Sequence, residues 1–82
     1  MVERVRDILE KSFPGMSTKD VYLLPSGRVS GSVSWAGFAD MDDVERQETM
    51  RSVLKQELGT DSQIVGVLLA YTPDELTIMR AA

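Results

Sequence analysis

The chain has 82 residues and a net charge of −4, with 43% hydrophobic and 27% charged residues. This composition is typical of a globular domain and argues against intrinsic disorder, and the length predicts a single domain over residues 1–82 with one modest core. The acidic balance argues against a nonspecific binder of nucleic-acid backbones, which needs clustered lysine and arginine.

Two residue types are missing: the sequence contains no histidine and no cysteine. These side chains provide most metal ligands and most of the nucleophiles and acid–base groups that act near neutral pH. We therefore expect no enzyme, no metal site and no bound cofactor. The lack of cysteine fits a reducing cytoplasm. No apolar run reaches the ~20 residues that span a membrane, and the opening residues do not resemble a signal peptide.

The N-terminal part of the chain predicts one helix and two strands. Apolar residues recur every three or four positions over residues 2–13, which indicates a helix with one apolar stripe that stops at Pro14-Gly15. Residues 20–24 predict a strand, and residues 28–35 alternate between an apolar face and a serine face. This alternation is typical of a half-buried strand in an antiparallel hairpin.

The C-terminal half predicts a helix, a strand and a short last helix. Acidic residues at 40–43 mark a helix start, after which Val44 begins an apolar stripe that Gln47 interrupts. Residues 64–71 are uniformly apolar, which predicts a strand covered on both faces and reached by a parallel crossover. Residues 72–75 carry the capping box that begins a helix.

The predicted order is therefore α-β-β-α-β-α. It defines an α+β fold in which a three-stranded mixed sheet has helices packed on one face. The nucleic-acid-binding KH module has a related topology, but its Gly-x-x-Gly clamp does not occur in this sequence.

Two polar groupings have both a structural and a functional interpretation. The acidic residues at positions 40–45 offer oxygen ligands to a divalent cation, although carboxylates at a helix start usually act as caps. Ser30, Ser32 and Ser34 form a row of hydroxyls on the second strand. Without a histidine to act as base they predict a solvated sheet face rather than a catalytic one.

Residues 58–62 read Leu-Gly-Thr-Asp-Ser and resemble the motif of acyl carrier proteins, whose serine carries a phosphopantetheine arm. Here that serine is Ser62. The family has an apolar residue after the serine, where this chain has Gln63, and it places the serine in an all-helical bundle. A carrier domain modified at Ser62 is one alternative function.

Residues 33–76 resemble the BolA-like family. A strand runs into Phe38, and the next helix begins with Val-Glu-Arg at 44–46 and ends with residues 52–58. An apolar strand then closes on Tyr-Thr-Pro-Asp-Glu at 71–75. The resemblance covers about half of the chain and implies the same α+β arrangement, which is also similar to that of type II KH domains.

What the resemblance implies about function is regulation rather than catalysis. The family is associated with stress response and iron homeostasis, pairs with monothiol glutaredoxins, and can share an iron–sulfur cluster through a histidine. Some members are proposed to bind DNA. By position, Arg46 matches the family's arginine, Gln47 replaces the histidine after it, and Ile64 or Val65 replaces the ligating histidine. Asp40 replaces a family glycine.

These observations predict a small non-enzymatic protein-interaction module, without its own metal ligands, whose partner could be a monothiol glutaredoxin. The candidate partner-binding residues are Phe38, Arg46, Tyr71 and Thr72, since an arginine fork and an amphipathic tyrosine are good anchors. Two of them also have an intramolecular interpretation: Arg46 could pair with Asp42, and Tyr71 could cap the core. A KH-like nucleic-acid regulator is the other alternative.

Overall fold

The structure, a computed structural model, describes residues 1–81. Its helices and strands are α1 (Val2–Ser12), β1 (Ser17–Leu23), β2 (Val29–Ser34), α2 (Asp43–Leu58), β3 (Val65–Tyr71) and α3 (Pro73–Ala81), with 3-10 turns at Ala36–Asp40 and Gly59–Ile64. The predicted α+β class and element order are confirmed. In this part of the chain, no helix combines the length and the apolar character needed to cross a bilayer.

The sheet has the order β1-β2-β3, with β2 in the centre. β1 and β2 form an antiparallel hairpin, and β3 pairs with β2 in parallel after the α2 crossover, as predicted. The two outer strands, β1 and β3, therefore each present one unpaired edge.

The core lies between one face of the sheet and the helices α1 and α2. The predicted apolar stripe of α1 is confirmed, with Val5 and Leu9 buried. The predicted apolar face of β2 is confirmed at Val29 and Val33, but its serine face is not fully solvated, because Ser30 is buried as well. The buried core side chains are Val5, Leu9, Phe13, Met16, Val21, Val29, Val33, Phe38, Met50, Leu54, Leu58 and Leu68.

The buried face of α2 differs from the predicted one at its start. Val44 is 65% exposed, and the first buried side chain of this helix is that of Arg46. Met50, Leu54 and Leu58 then follow at four-residue intervals. The expectation that Val44 faces the core was therefore wrong. Hydrophobic periodicity counts arginine as a polar residue, so it could not show that Arg46 begins the buried row.

β3 is covered on one face, and its second face is exposed at Val67 and Leu69, whereas its sequence predicted cover on both faces. Leu68 lies in the core and Ala70 packs against it, but Val67 is 67% exposed and Leu69 is 48% exposed. Because alternate residues of a strand point to opposite faces, Val67 and Leu69 share the face that α1 and α2 leave uncovered.

The placement of α3 refines the prediction that the helices pack on one face. Leu76 is buried but lies outside the main core cluster. Arg80 makes an ion pair of 2.7 Å with Asp20 of β1. Asp20 neighbours the core residue Val21 and so points to the other side of the sheet. α3 thus reaches the face opposite α1 and α2.

Gly31 allows β1 and β2 to approach each other closely. It lies opposite Val21 with a φ of +130°, and a Cβ atom at this position would collide with the Asp20 carbonyl. The backbone of β1 therefore occupies the space that a side chain at this position would need.

The substitution Gly31→Ala is expected to lower the free energy of unfolding by about 3 kcal/mol, since it combines backbone strain with a collision inside the sheet. Gly27→Ala is the matched control. Gly27 also has a positive φ but nothing within 4 Å of the added methyl, so about 1 kcal/mol is expected there. Urea unfolding followed by circular dichroism measures both, and equal losses would refute the role of the collision.

Candidate functional site

Phe38 belongs to an aromatic cluster under the sheet. Its fully buried ring meets Trp35 edge-on, with ring centroids 5.2 Å apart, and Trp35 in turn lies 5.1 Å from Phe13. The Trp35 Nε1–H donates to the Pro14 carbonyl at 2.9 Å. Tilted and edge-to-face contacts of this kind stabilise a core. In this conformation Phe38 offers no surface to a partner.

Arg46 is buried and uses its guanidinium to join four parts of the chain. Its Nε donates to the carbonyls of Phe38 at 3.2 Å and Met41 at 3.1 Å. One terminal nitrogen donates to the Ala70 carbonyl at 3.2 Å, and both terminal nitrogens contact the Glu75 carboxylate, at 2.7 and 3.2 Å. We call this set of contacts the Arg46 clamp.

Thr72 and Glu75 form the predicted capping box at the start of α3. The Glu75 N–H donates to the Thr72 hydroxyl at 3.2 Å, and the Thr72 N–H donates back to the Glu75 carboxylate at 2.8 Å.

The ion pair of Arg46 forms with Glu75 rather than with Asp42, the partner that the sequence suggested. Asp42 instead caps α2, where it accepts a hydrogen bond from the Glu45 N–H at 2.8 Å.

The electrostatics of the Arg46 clamp favour the ionised pair. Hydrogen bonds from the Arg46 guanidinium, with a further one from the Thr72 backbone, lower the pKa of Glu75 from its usual value of 4.5 to about 2. The same carboxylate raises the pKa of Arg46 above its usual value. The clamp is therefore fully charged at neutral pH.

The neighbouring residue Gln47 explains the polar interruption of the α2 stripe. Its Nε2 donates to the Leu68 carbonyl at 2.7 Å, two residues before the Ala70 carbonyl that Arg46 holds. The Tyr71 carbonyl accepts a hydrogen bond from the Trp35 N–H at the end of β2. Because successive carbonyls of a strand point in opposite directions, those of Leu68 and Ala70 point to the unpaired edge of β3. Arg46 and Gln47, which are neighbours on α2, thus donate to the carbonyls of Ala70 and Leu68 along this edge.

The other edge of the sheet has a similar contact. A terminal nitrogen of Arg6, on α1, donates to the Val21 carbonyl of β1. The Leu24 N–H donates to the Arg28 carbonyl, and hydrogen-bonded pairs alternate along an antiparallel ladder. The Val21 carbonyl therefore points to the unpaired side of β1. Each edge of the sheet therefore carries at least one carbonyl bound by a side chain from a helix.

The side of the sheet away from α1 and α2 presents Tyr22, Val67, Leu69 and Tyr71, which we call the open face. Tyr22 is about half exposed and Tyr71 is partly buried. The strand register places Ser32 beside Leu69 and Ser34 beside Tyr71. A shallow depression of about 420 Å³ borders this face, and its lining combines Tyr22, Ser32 and Leu69 with the charged residues Arg6, Lys19 and Asp20.

The four residues predicted to bind a partner lie in different parts of the structure. Tyr71 lies on the open face, whereas Phe38 is in the core and Arg46 and Thr72 are engaged in the clamp and the α3 cap. Their role in partner binding stays a prediction. Val67 and Leu69 were missed as surface residues, because the uniform apolar run at 64–71 gives no sign that one face lacks cover.

The other candidate groupings are Ser62, the acidic residues at positions 40–45 and the serines of β2. Ser62 is half-buried in the 3-10 turn Gly59–Ile64 of an α+β fold, not in a helical bundle. Within residues 1–81 no three acidic side chains converge as metal ligands. Ser30 is buried, and Ser32 and Ser34 are half-buried between the outer strands.

In comparisons with known proteins, the chain matches no family model, no curated protein and no solved structure.

Arg46→Met is expected to lower the free energy of unfolding by about 3 kcal/mol, because it leaves buried carbonyls and Glu75 without their donor. Arg46→Lys should recover only part of this loss, since one ammonium cannot reproduce the planar fork. Arg51→Met, the same change at an exposed position of α2, serves as the control and should shift stability by less than about 0.5 kcal/mol. Similar losses for both methionine variants in urea unfolding would contradict the clamp.

Glu75 should make the fold acid-sensitive in a defined range. Because its pKa is lowered to about 2, the ionised side chain stabilises the folded state fully above about pH 4.5, and this contribution is lost as the pH falls towards 2. The variant Glu75→Gln should lack this part of the pH dependence. Urea unfolding measured from pH 7 to pH 2.5 tests this, with Glu48→Gln, an exposed glutamate on α2, as the control that keeps the wild-type slope. Parallel curves for wild type and Glu75→Gln would refute it.

Proposed function

We propose that the protein is a small, non-enzymatic, cytoplasmic protein-interaction module that binds an apolar surface of a partner protein through the open face. The observation that carries this proposal is the exposure of Val67 and Leu69 on a strand whose sequence is typical of one covered on both sides. A partner surface would supply the missing cover.

The composition of the open face fits this role. Two aliphatic and two aromatic side chains lie among serine hydroxyls, and such apolar centres with polar neighbours are typical of protein interfaces. The tyrosines combine a large apolar ring with a hydroxyl that can still hydrogen-bond at an interface. Ile78 and Met79, which are also exposed on α3, add apolar surface on the helix that Arg80 ties to the same sheet.

The surroundings hold this face in place before any partner binds. The Arg46 clamp fixes the end of β3 and the start of α3, and Tyr71 lies between the two points that it holds, Ala70 and Glu75. A preorganised surface loses little side-chain and backbone entropy on binding, so more of its contact energy is available for affinity.

The resemblance to the BolA-like family makes a monothiol glutaredoxin the first partner to test. Without histidine or cysteine, this chain would have to recognise such a partner through surface contacts, not through a shared cluster. Nucleic acid is not favoured, because the chain carries a net charge of −4. In addition, two of the cations near the open face, Arg6 and Arg80, already bind the Val21 carbonyl and Asp20.

The double variant Val67→Ser/Leu69→Ser should weaken partner binding at least about tenfold, since truncated central apolar contacts typically cost more than about 1 kcal/mol each. The partner is first captured on immobilised wild-type protein and identified, with a monothiol glutaredoxin included as a purified candidate. Affinities are then measured by calorimetry.

Val44→Ser is the matched control, because Val44 is an equally exposed valine on α2 and lies outside the open face. It should leave affinity unchanged, and all variants should keep the wild-type circular dichroism spectrum. Binding that survives the double variant, or that Val44→Ser weakens to the same degree, would overturn the proposal.

A further inference from the structure

A second concave site lies on a different part of the molecule, between α2, the 3-10 turn Gly59–Ile64 and the start of β3. It is a half-open groove of about 650 Å³. Its apolar lining comes from Met50 and Leu54 on α2 and from Val65 and Leu68 on β3. This volume lies in the range of small-molecule sites, roughly 300–1,000 Å³.

The charged residues that line this groove are both cations, Arg51 and Lys55, and no aspartate or glutamate lines it. The bias is notable because acidic residues outnumber basic ones by 13 to 9 in the chain. Both cations are exposed, and within residues 1–81 neither makes an ion pair or a side-chain hydrogen bond. Their charges are therefore available to a ligand.

The groove places cations directly beside apolar side chains. Met50 and Leu54 form a buried row on α2, and Arg51 and Lys55 form an exposed row one residue further along, with about 6 Å of helix rise between the two cations. A molecule lying along α2 would bury its body against the first row and present its head to the second.

Gln47, whose side chain is fixed on the Leu68 carbonyl, and the turn at Gly59 both line the groove. The volume of about 650 Å³ matches that of sites that enclose a compact molecule. It therefore favours a small ligand over a polypeptide segment.

We propose that this groove binds a small amphiphile with an apolar body and a single anionic head, either a carboxylate or a phosphate. The apolar body contacts the half-buried Val65 and the small exposed parts of Met50, Leu54 and Leu68. The head is held by Arg51 and Lys55. This site is separate from the open face, and its occupancy does not depend on the function proposed for that surface.

Titration of isotope-labelled protein with decanoate and with decyl phosphate, below their micellar concentrations, tests this proposal by NMR. Both anions should cause saturable shifts in the methyl signals of Met50, Leu54 and Leu68, and the tighter of the two identifies the head group. Decanol has the same body without the charge and should bind roughly tenfold more weakly than the tighter anion.

The variant Arg51→Gln/Lys55→Gln should reduce the affinity for the tighter anion by about tenfold. The control Lys11→Gln/Arg28→Gln removes two exposed cations outside the groove and gives the same net charge, so affinity should be unchanged. Folding of each variant is verified from its amide spectrum. Absence of saturable binding, shifts centred on the open face, equal binding of decanol, or equal losses in the two double variants would each overturn the proposal.

Discussion

The burial of one guanidinium group constrains most of this fold. A buried charge is tolerated only when its donors are satisfied, and Arg46 meets this condition with the carbonyls of Phe38, Met41 and Ala70 and with the Glu75 carboxylate. Those acceptors come from the 3-10 turn after β2, the linker into α2, the end of β3 and the first turn of α3. None of these segments can move far without leaving a buried polar group unpaired.

β3 consequently serves three purposes in a chain with a single small sheet. Its inner side chains complete the core, its outer side chains form most of the open face, and its unpaired edge meets α2 through Gln47 and Arg46. The groove beside Arg51 and Lys55 begins on the inner side of the same strand. The two proposed binding surfaces therefore share one rigid support but lie on opposite sides of it.

Local signals in the sequence predicted the elements well, because each depends on neighbouring residues. The capping box at 72–75 and the acidic start of α2 were identified from such signals. The position of Arg46 was not predictable in this way, since its partner Glu75 is 29 residues distant and periodicity counts arginine as polar. The exposure of Val67 and Leu69 was not predictable either, because it depends on which helices pack on that face of the sheet. The groove arises from packing between elements and leaves no pattern within any one of them.

The side-chain contacts along both strand edges determine how this sheet can meet other molecules. Arg6 occupies the Val21 carbonyl on one side, and Gln47 and Arg46 occupy those of Leu68 and Ala70 on the other. An added strand would have to break these bonds before it could pair, which is a barrier to aggregation by sheet extension. Growth into a continuous sheet with further copies is thereby opposed at both edges.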